Sequence, residues 1–170
     1  MPPATADRPP SASMDAGFLD AMAALAGGVC IVTTLGEGGR PAGFTSTAAM
    51  SLSRSPQLLA IGVDGAGRTL PLIRRSGRFA LNILGADGES VARRFAGRTA
   101  DRFAGLEWTP DHNGLPLLTE YSSHVLACRV EDDVPAGDHR LLIAAVEAIT
   151  PGLGGATALV HLGRRYHTIP

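Results

Sequence analysis

Apolar and polar positions alternate along much of this chain with the period of two that a pleated strand imposes. Val29 to Leu35, Leu58 to Val63 and Arg78 to Leu84 read as strands, the last with Asn82 as the one polar residue inside it. Tyr121 to Val134 and Arg140 to Ile149 read as two long strands joined by Pro135-Ala136-Gly137-Asp138-His139, and Ala156 to Leu162 as a final strand leading to Arg164-Arg165-Tyr166-His167. Helical spacing occurs in three places. Phe18, Leu19, Met22 and Leu25 follow Asp15 as N-cap and stop at Gly27-Gly28; Leu70, Leu72 and Ile73 form a second run; Val91, Ala92 and Phe95 share one face of a helix from Asp87 to Phe95. Seven or so strands with few, short helices and no internal repeat predict a mainly β domain, a closed antiparallel barrel with helices at its ends. Residues 1–13 carry four prolines and too little apolar surface to offset the entropy of ordering, which predicts a disordered tail before a domain spanning 14–170.

One stretch departs from the pattern. Gly43 to Pro56 predicts a strand after the Gly36–Pro41 turn, in a hairpin with Val29–Leu35, yet Thr45, Ser46, Thr47, Ser51 and Ser53 stand where a core strand would carry Val, Ile or Leu. Small side chains let a flat ligand approach the backbone, and hydroxyls orient it, so the stretch fits a wall for a planar polar ligand. The alternative is a solvent-facing strand with one polar side. Leu58–Val63 then runs through Asp64-Gly65-Ala66-Gly67-Arg68-Thr69 into an apolar helical run, a strand–glycine loop–helix order that suits an anion near Arg68 and Thr69. The Gly62-x-x-x-x-Gly67-Arg68-Thr69 spacing imitates a nucleotide P-loop, but arginine replaces the lysine and the repeated strand–helix units of that fold are missing. An N-cap threonine beside a solvated arginine is the competing reading. The loop from Asp101-Arg102-Phe103 through Pro116 is long and irregular, as loops that bind ligands or cover edges often are.

Composition narrows the function. With 15 Lys+Arg against 16 Asp+Glu, the net charge of −1 provides no footprint for nucleic acid or an anionic membrane. Cys30 and Cys128 sit in apolar runs and read as buried thiols, and no segment reads as a signal peptide or a membrane span, so the cytoplasm is expected. There is no Gly-x-Ser-x-Gly, Cys-x-x-Cys or His-Glu-x-x-His motif, and the five histidines are scattered. That argues against a metal or nucleophile enzyme and favours chemistry carried by a bound cofactor. His139 stands out because Gly137-Asp138 turns the chain before it and Asp138 is placed to hold its tautomer. Tyr166 either packs as an edge aromatic or stacks on a ligand.

Taken in order, these pieces resemble the flavin reductase-like family, the reductase components of two-component flavin-dependent monooxygenases. The resemblance runs from about Phe18 to Tyr166 and rests on Gly28-Val29 with Val32-Thr33-Thr34, Gly43 to Ser53 with Pro56, Ser76 to Leu84, Phe95-Ala96 with Asp101-Arg102-Phe103, Gly137-Asp138-His139, and Gly163-Arg164-Arg165-Tyr166. It implies a split β-barrel of Greek-key type, a homodimer that reduces FMN or FAD with NADH or NADPH and supplies reduced flavin to a partner monooxygenase. It further implies that Ser46, Thr47, Ala48, Ala49 and Met50, with Leu52 and Ser53 beyond, line the isoalloxazine ring. The phosphate contacts would fall on Gly67, Arg68, Thr69 and Arg102, His139 would receive the nicotinamide, and Tyr166 would count among the cofactor-binding residues. Many members carry Asn where this chain has Thr47, which replaces an amide contact by a hydroxyl. Hydride passes from nicotinamide to flavin, so no side chain has to act as acid, base or nucleophile, and proximity supplies the acceleration. Two other readings compete: a flavin barrel acting on another acceptor, such as a ferric complex or small organic molecule, and a flavin-binding module without turnover.

Overall fold

The computed structural model describes residues 12–99 and 101–169. Helix α1 (Ala12–Ala23) leads into strands β1 (Gly27–Gly28), β2 (Cys30–Leu35), β3 (Pro41–Ser46), β4 (Ala49–Arg54) and β5 (Gln57–Asp64). Helix α2 (Leu70–Ser76), strand β6 (Arg78–Leu84) and helix α3 (Glu89–Ala96) follow. The chain continues through β7 (Thr109–Pro110), β8 (Pro116–Leu117), the long pair β9 (Ser122–Ala136) and β10 (His139–Pro151), and ends in β11 (Ala158–Leu162) and β12 (Arg165–Ile169).

Seven strands form one antiparallel sheet in the order β3-β2-β6-β9-β10-β5-β4. Its edge strands β3 and β4 are consecutive in the chain and separated only by Thr47 and Ala48, so the sheet curls until its edges meet at that corner. Register shifts at Ser51/Ser53, Ile143/Ala144 and Val146/Ala148 mark the bulges that add twist to the curl. Among the described residues β3 and β4 do not pair with each other, so the ring that alternation alone predicts is not closed by a ladder. It is a split barrel instead. A small sheet, β1-β11-β12, and the ribbon β7-β8 stand beside it.

The period of two sorts the core. On β2, Cys30 and Val32 face a cluster with Ile61, Phe79 and Leu142, whereas Ile31, with Val29 just before the strand, faces a second cluster with Val91, Phe95, Phe103 and Leu159. Helix α3 thereby seals the outer face of β2, and Phe95 meets Phe103 edge-on at 5.0 Å between ring centres. Asn82, fully buried on β6, donates to Ile31 O at 2.9 Å and to Thr33 Oγ1 at 3.0 Å, and its Oδ1 accepts from Leu118 N at 2.7 Å. The polar residue inside that strand is therefore a structural cross-tie.

Two predicted boundaries move. Helix α1 begins at Ala12, ahead of Asp15, so Ala12 and Ser13 belong to a helix rather than to the expected tail, whose other residues lie outside the described ones. The chain also turns at Gly163-Arg164 to add β12, which pairs with β11 and was not expected as a strand. Helix α1 is apolar on most sides, with Asp15 and Asp20 its only charged residues, yet Phe18, Leu19 and Met22 are exposed, as is Leu25 just past its end. Arg164 holds it through Asp20 at 2.7 Å.

Candidate functional site

The hydroxyl-rich stretch is not one strand but two with a corner between them. Ser46 is buried, and its Oγ accepts from Ala48 N at 3.1 Å, a local bond that competes with the ladder and helps end β3. Ala48 O in turn accepts from Gly62 N at 2.8 Å, fastening the corner to β5. Only glycine fits easily beneath it: a Cβ on Gly27 would lie 3.2 Å from Thr47 Cβ, and one on Gly62 would lie 3.1 Å from Ala48 Cβ. Thr47 and Ala48 are exposed above this floor, so the corner presents a small-residue shelf to solvent.

Beyond the corner the stretch serves a different surface. Ala49, Met50 and Ser53 line an apolar groove of about 540 Å³ together with Leu58, Leu81 and Ile149, while Leu52 is 46% exposed. The sequence-predicted residues of this stretch therefore divide, with Ser46, Thr47 and Ala48 at the shelf and Ala49, Met50 and Ser53 in the groove.

Next to the shelf, beside Phe44 and Thr45 of β3, lies a polar cavity of about 240 Å³. Thr45 of β3, Asp64, Gly67, Arg68 and Thr69 of the loop after β5, and Arg102 of the loop after α3 line it, with Phe44, Phe95 and Ala96 as apolar walls. The fold thus brings together Gly67, Arg68, Thr69 and Arg102, although Arg102 lies in a separate stretch of the chain. Arg102 donates through Nη1 to Gly43 O at 2.6 Å and through Nη2 to Gly97 O at 2.7 Å. Both acceptors are neutral carbonyls. Its Nε is buried and has no hydrogen-bond partner among the described residues. Burial, and then the charge of neighbouring Arg68, pull the Arg102 guanidinium below its usual pKa. Two cations facing one cavity, one with an orphaned buried N–H, are the donor set of an anion site.

The loop amides contribute less than the glycine spacing suggests. Gly65 N donates to Asp138 O, Ala66 N to Asp64 Oδ1, Gly67 N to Asp64 O and Leu70 N to Gly67 O, so these four amides are spent within the fold. Helix α2 has only seven residues, and Thr69 makes no side-chain cap bond to it. Thr45 belongs to the hydroxyl wall and Asp64 to the loop that the sequence predicts, but neither is among the flavin contacts the resemblance implies. Thr45 Oγ1 donates to Ala92 O at 2.6 Å, tying β3 to α3 behind the cavity, and Asp64 organises the loop. Position within a hydroxyl run is the only sequence signal for Thr45.

His139 opposes Asp64 across the β10–β5 ladder, and Gly65 N donates to Asp138 O at 2.9 Å, so the Gly137-Asp138 turn abuts the glycine loop. The exposed imidazole Nδ1 lies 2.7 Å from Asp138 Oδ1. That contact holds the Asp138 carboxyl below its usual range. Tyr166 lies outside the arginine cavity. On β12 it opposes His161, whose ring meets it at 5.2 Å, and His161 opposes Gly27 beneath the shelf. The Arg93 guanidinium covers the Tyr166 ring at 4.8 Å, and burial pushes the phenol pKa up. Among the described residues no group of three or more His, Cys, Asp or Glu is placed to hold a metal ion, and no helix is long and apolar enough to cross a membrane.

Residues 22–170 match the model of the flavin reductase like domain. A flavin reductase (NADH) of Kitasatospora aureofaciens is 38% identical over 154 residues, which cover 90% of this chain and 81% of that protein. The FMN reductase (NADH) RutF 2 of Methylorubrum extorquens (strain PA1) is 38% identical over 163 residues, covering 95% of this chain and 93% of that one. Among solved structures, a nitrilotriacetate monooxygenase component B from Mycobacterium thermoresistibile superposes with a TM-score of 0.86 at 30% identity, over 92% of this chain and 87% of the other.

Proposed function

Because this chain belongs to the flavin reductase-like family and is an NADH-dependent flavin reductase that supplies reduced flavin to a monooxygenase component, we propose that its flavin lies along β3. In this reading the ring rests on the shelf at Ser46, Thr47 and Ala48, and the phosphate lies between Arg68 and Arg102. The observation that carries the reading is the arginine pair. Among the described residues it makes no hydrogen bond to a carboxylate, it carries an orphaned Nε, and it stands beside Thr45 of the strand that ends in the shelf. FMN fits this donor set, since a ring, a chain of hydroxyls and a phosphate dianion meet small residues, Thr45 and two guanidinium groups in that order along the strand.

Flavin and NADH are both substrates of a hydride transfer, in which NADH gives up two electrons and a proton equivalent to the oxidised flavin. The protein binds and orients. Thr47 and Ala48 set how near the ring lies to the backbone, Arg68 and Arg102 anchor the phosphate, and His139, held by Asp138, stands beside the glycine loop where a nicotinamide approaches. An open shelf with one firm anchor suits release of reduced flavin to a second protein. We place a second copy of the chain on the apolar groove, where Met50 is 54% and Ile149 57% exposed, and the assembly in the cytoplasm, where NADH is made.

Thr47→Trp tests the shelf, since an exposed side chain is enlarged there without entering the core. The variant is expected to lose flavin-dependent NADH oxidation and the rapid loss of flavin absorbance on mixing with NADH, at an unchanged thermal midpoint. Full activity in this variant removes the shelf from the site.

A further inference from the structure

The small sheet aims one row of side chains at the shelf. Gly27, His161 and Tyr166 are register partners on β1, β11 and β12. Directly opposed residues of antiparallel strands carry their side chains on the same face, with Cβ atoms about 4.5–5.5 Å apart. Gly27 leaves its place in this row empty, and Thr47 fills it: a Cβ on Gly27 would lie 3.2 Å from Thr47 Cβ. His161 is the next member of the row, so its imidazole stands at the edge of the shelf. The ring is half-buried, and among the described residues neither of its nitrogens makes a hydrogen bond. Tyr166 braces it, with 66° between the two ring planes, and Arg93, paired with Glu89 at 2.7 Å, covers Tyr166 in turn.

We propose that His161 is a ring-binding residue, which donates from its imidazole to the pyrimidine edge of the isoalloxazine and so fixes which way round the flavin lies on the shelf. The inference rests on the reading that the ring lies at Thr47 and Ala48. The two ends of that ring differ in chemistry. The dimethylbenzene end has no hydrogen-bonding atom, whereas the pyrimidine end carries two carbonyls and an imide N–H, so a polar side chain at one edge of the shelf selects the end that faces it. The floor of the shelf supplies little of this kind. The Ala48 amide donates to Ser46 Oγ and the Ala48 carbonyl accepts from Gly62 N, which spends both backbone groups within the corner. An imidazole carries an N–H in either neutral tautomer and in the charged form, and a half-buried one without a partner loses little by exchanging water for a flavin carbonyl.

The test titrates FMN and riboflavin into the intact enzyme carrying His161→Phe, following flavin fluorescence. Phenylalanine keeps an aromatic ring against Tyr166 and removes both nitrogens, so the thermal midpoint is expected to stay at the wild-type value; if it falls, His161→Leu takes its place with the same expectation. Both flavins have the same ring, and the dissociation constants of both are expected to rise about three- to tenfold, as loss of one hydrogen bond predicts, with the preference for FMN over riboflavin unchanged. Unchanged affinity for both flavins overturns the inference. So does a loss confined to FMN, which would place His161 at the phosphate instead of the ring. Thr47→Trp in the same titrations separates this from failure of the underlying reading. If it abolishes binding of both flavins while His161→Phe changes neither, the shelf stands and only the role of His161 falls; if it binds both as wild type does, the shelf is not the ring site and the inference falls with it.

Discussion

At the scale of single residues, hydroxyls that look alike in the sequence do different work once their partners are known. Thr45 gives its proton to Ala92 O and Ser46 accepts from the Ala48 amide, so both are parts of the frame, while Thr47 is exposed on the shelf. Thr45→Val therefore removes the side-chain donor to Ala92 O and is expected to lower stability by about 1 kcal/mol, the worth of one such bond, read as a shift in the urea midpoint at constant slope. A midpoint equal to wild type would show that the bond contributes nothing. Bulk introduced at the buried Ser46 would disturb the corner itself, which is why the steric test of the shelf belongs at Thr47.

At the scale of elements, the β9–β10 hairpin is held at its far end by charge. Asp133 receives Arg74 Nε at 2.7 Å and Arg140 Nε at 2.5 Å, which ties the hairpin to α2. The Arg74 hydrogen bond, opposed by partial burial and reinforced by Arg140, holds the Asp133 carboxyl below its usual range. A depressed folded pKa contributes stability that is present above the unfolded carboxyl pKa of about 3.9 and lost as pH falls through the folded value. Asp133→Asn is thus expected to narrow the stability difference between pH 7 and pH 3, measured as urea midpoints; an unchanged difference would rule the pair out as a source of acid sensitivity. The apolar runs of β2, β5 and β6 were legible because burial on both faces or strict alternation writes itself into the sequence. The Thr47–Ala48 corner was not, since Thr and Ser favour strands and only the curl of the sheet decides where the run must bend. β12 was missed for a related reason: Arg165–Ile169 is largely exposed at the edge of a small sheet and carries little apolar signal. At the site, Gly67-Arg68-Thr69 was visible as a loop, but the place of Arg102 depends on carbonyls of Gly43 and Gly97, one of them 59 residues away in the chain.

For the whole molecule, two apolar surfaces remain open on a single chain: the groove with Met50 and Ile149, and helix α1 with Phe18, Leu19 and Met22. A helix apolar on most sides is normally buried, and contiguous exposed apolar surface marks an interface. Light scattering at micromolar concentration is expected to give the mass of a dimer, and Met50→Asp with Ile149→Asp the mass of a folded monomer; a wild-type monomer would contradict that assignment. The split barrel itself works as a frame that brings a glycine loop, a distant arginine and a two-residue corner onto one strand. Whether that strand is where flavin lies is tested most directly by comparing FMN with riboflavin, which differ only in the phosphate. Fluorescence titration of the wild type is expected to show FMN bound at least about tenfold more tightly, as one charged contact worth about 1.5–3 kcal/mol predicts, with Arg68→Ala removing most of that preference and leaving riboflavin affinity unchanged. A preference for FMN that survives intact in Arg68→Ala would contradict the account.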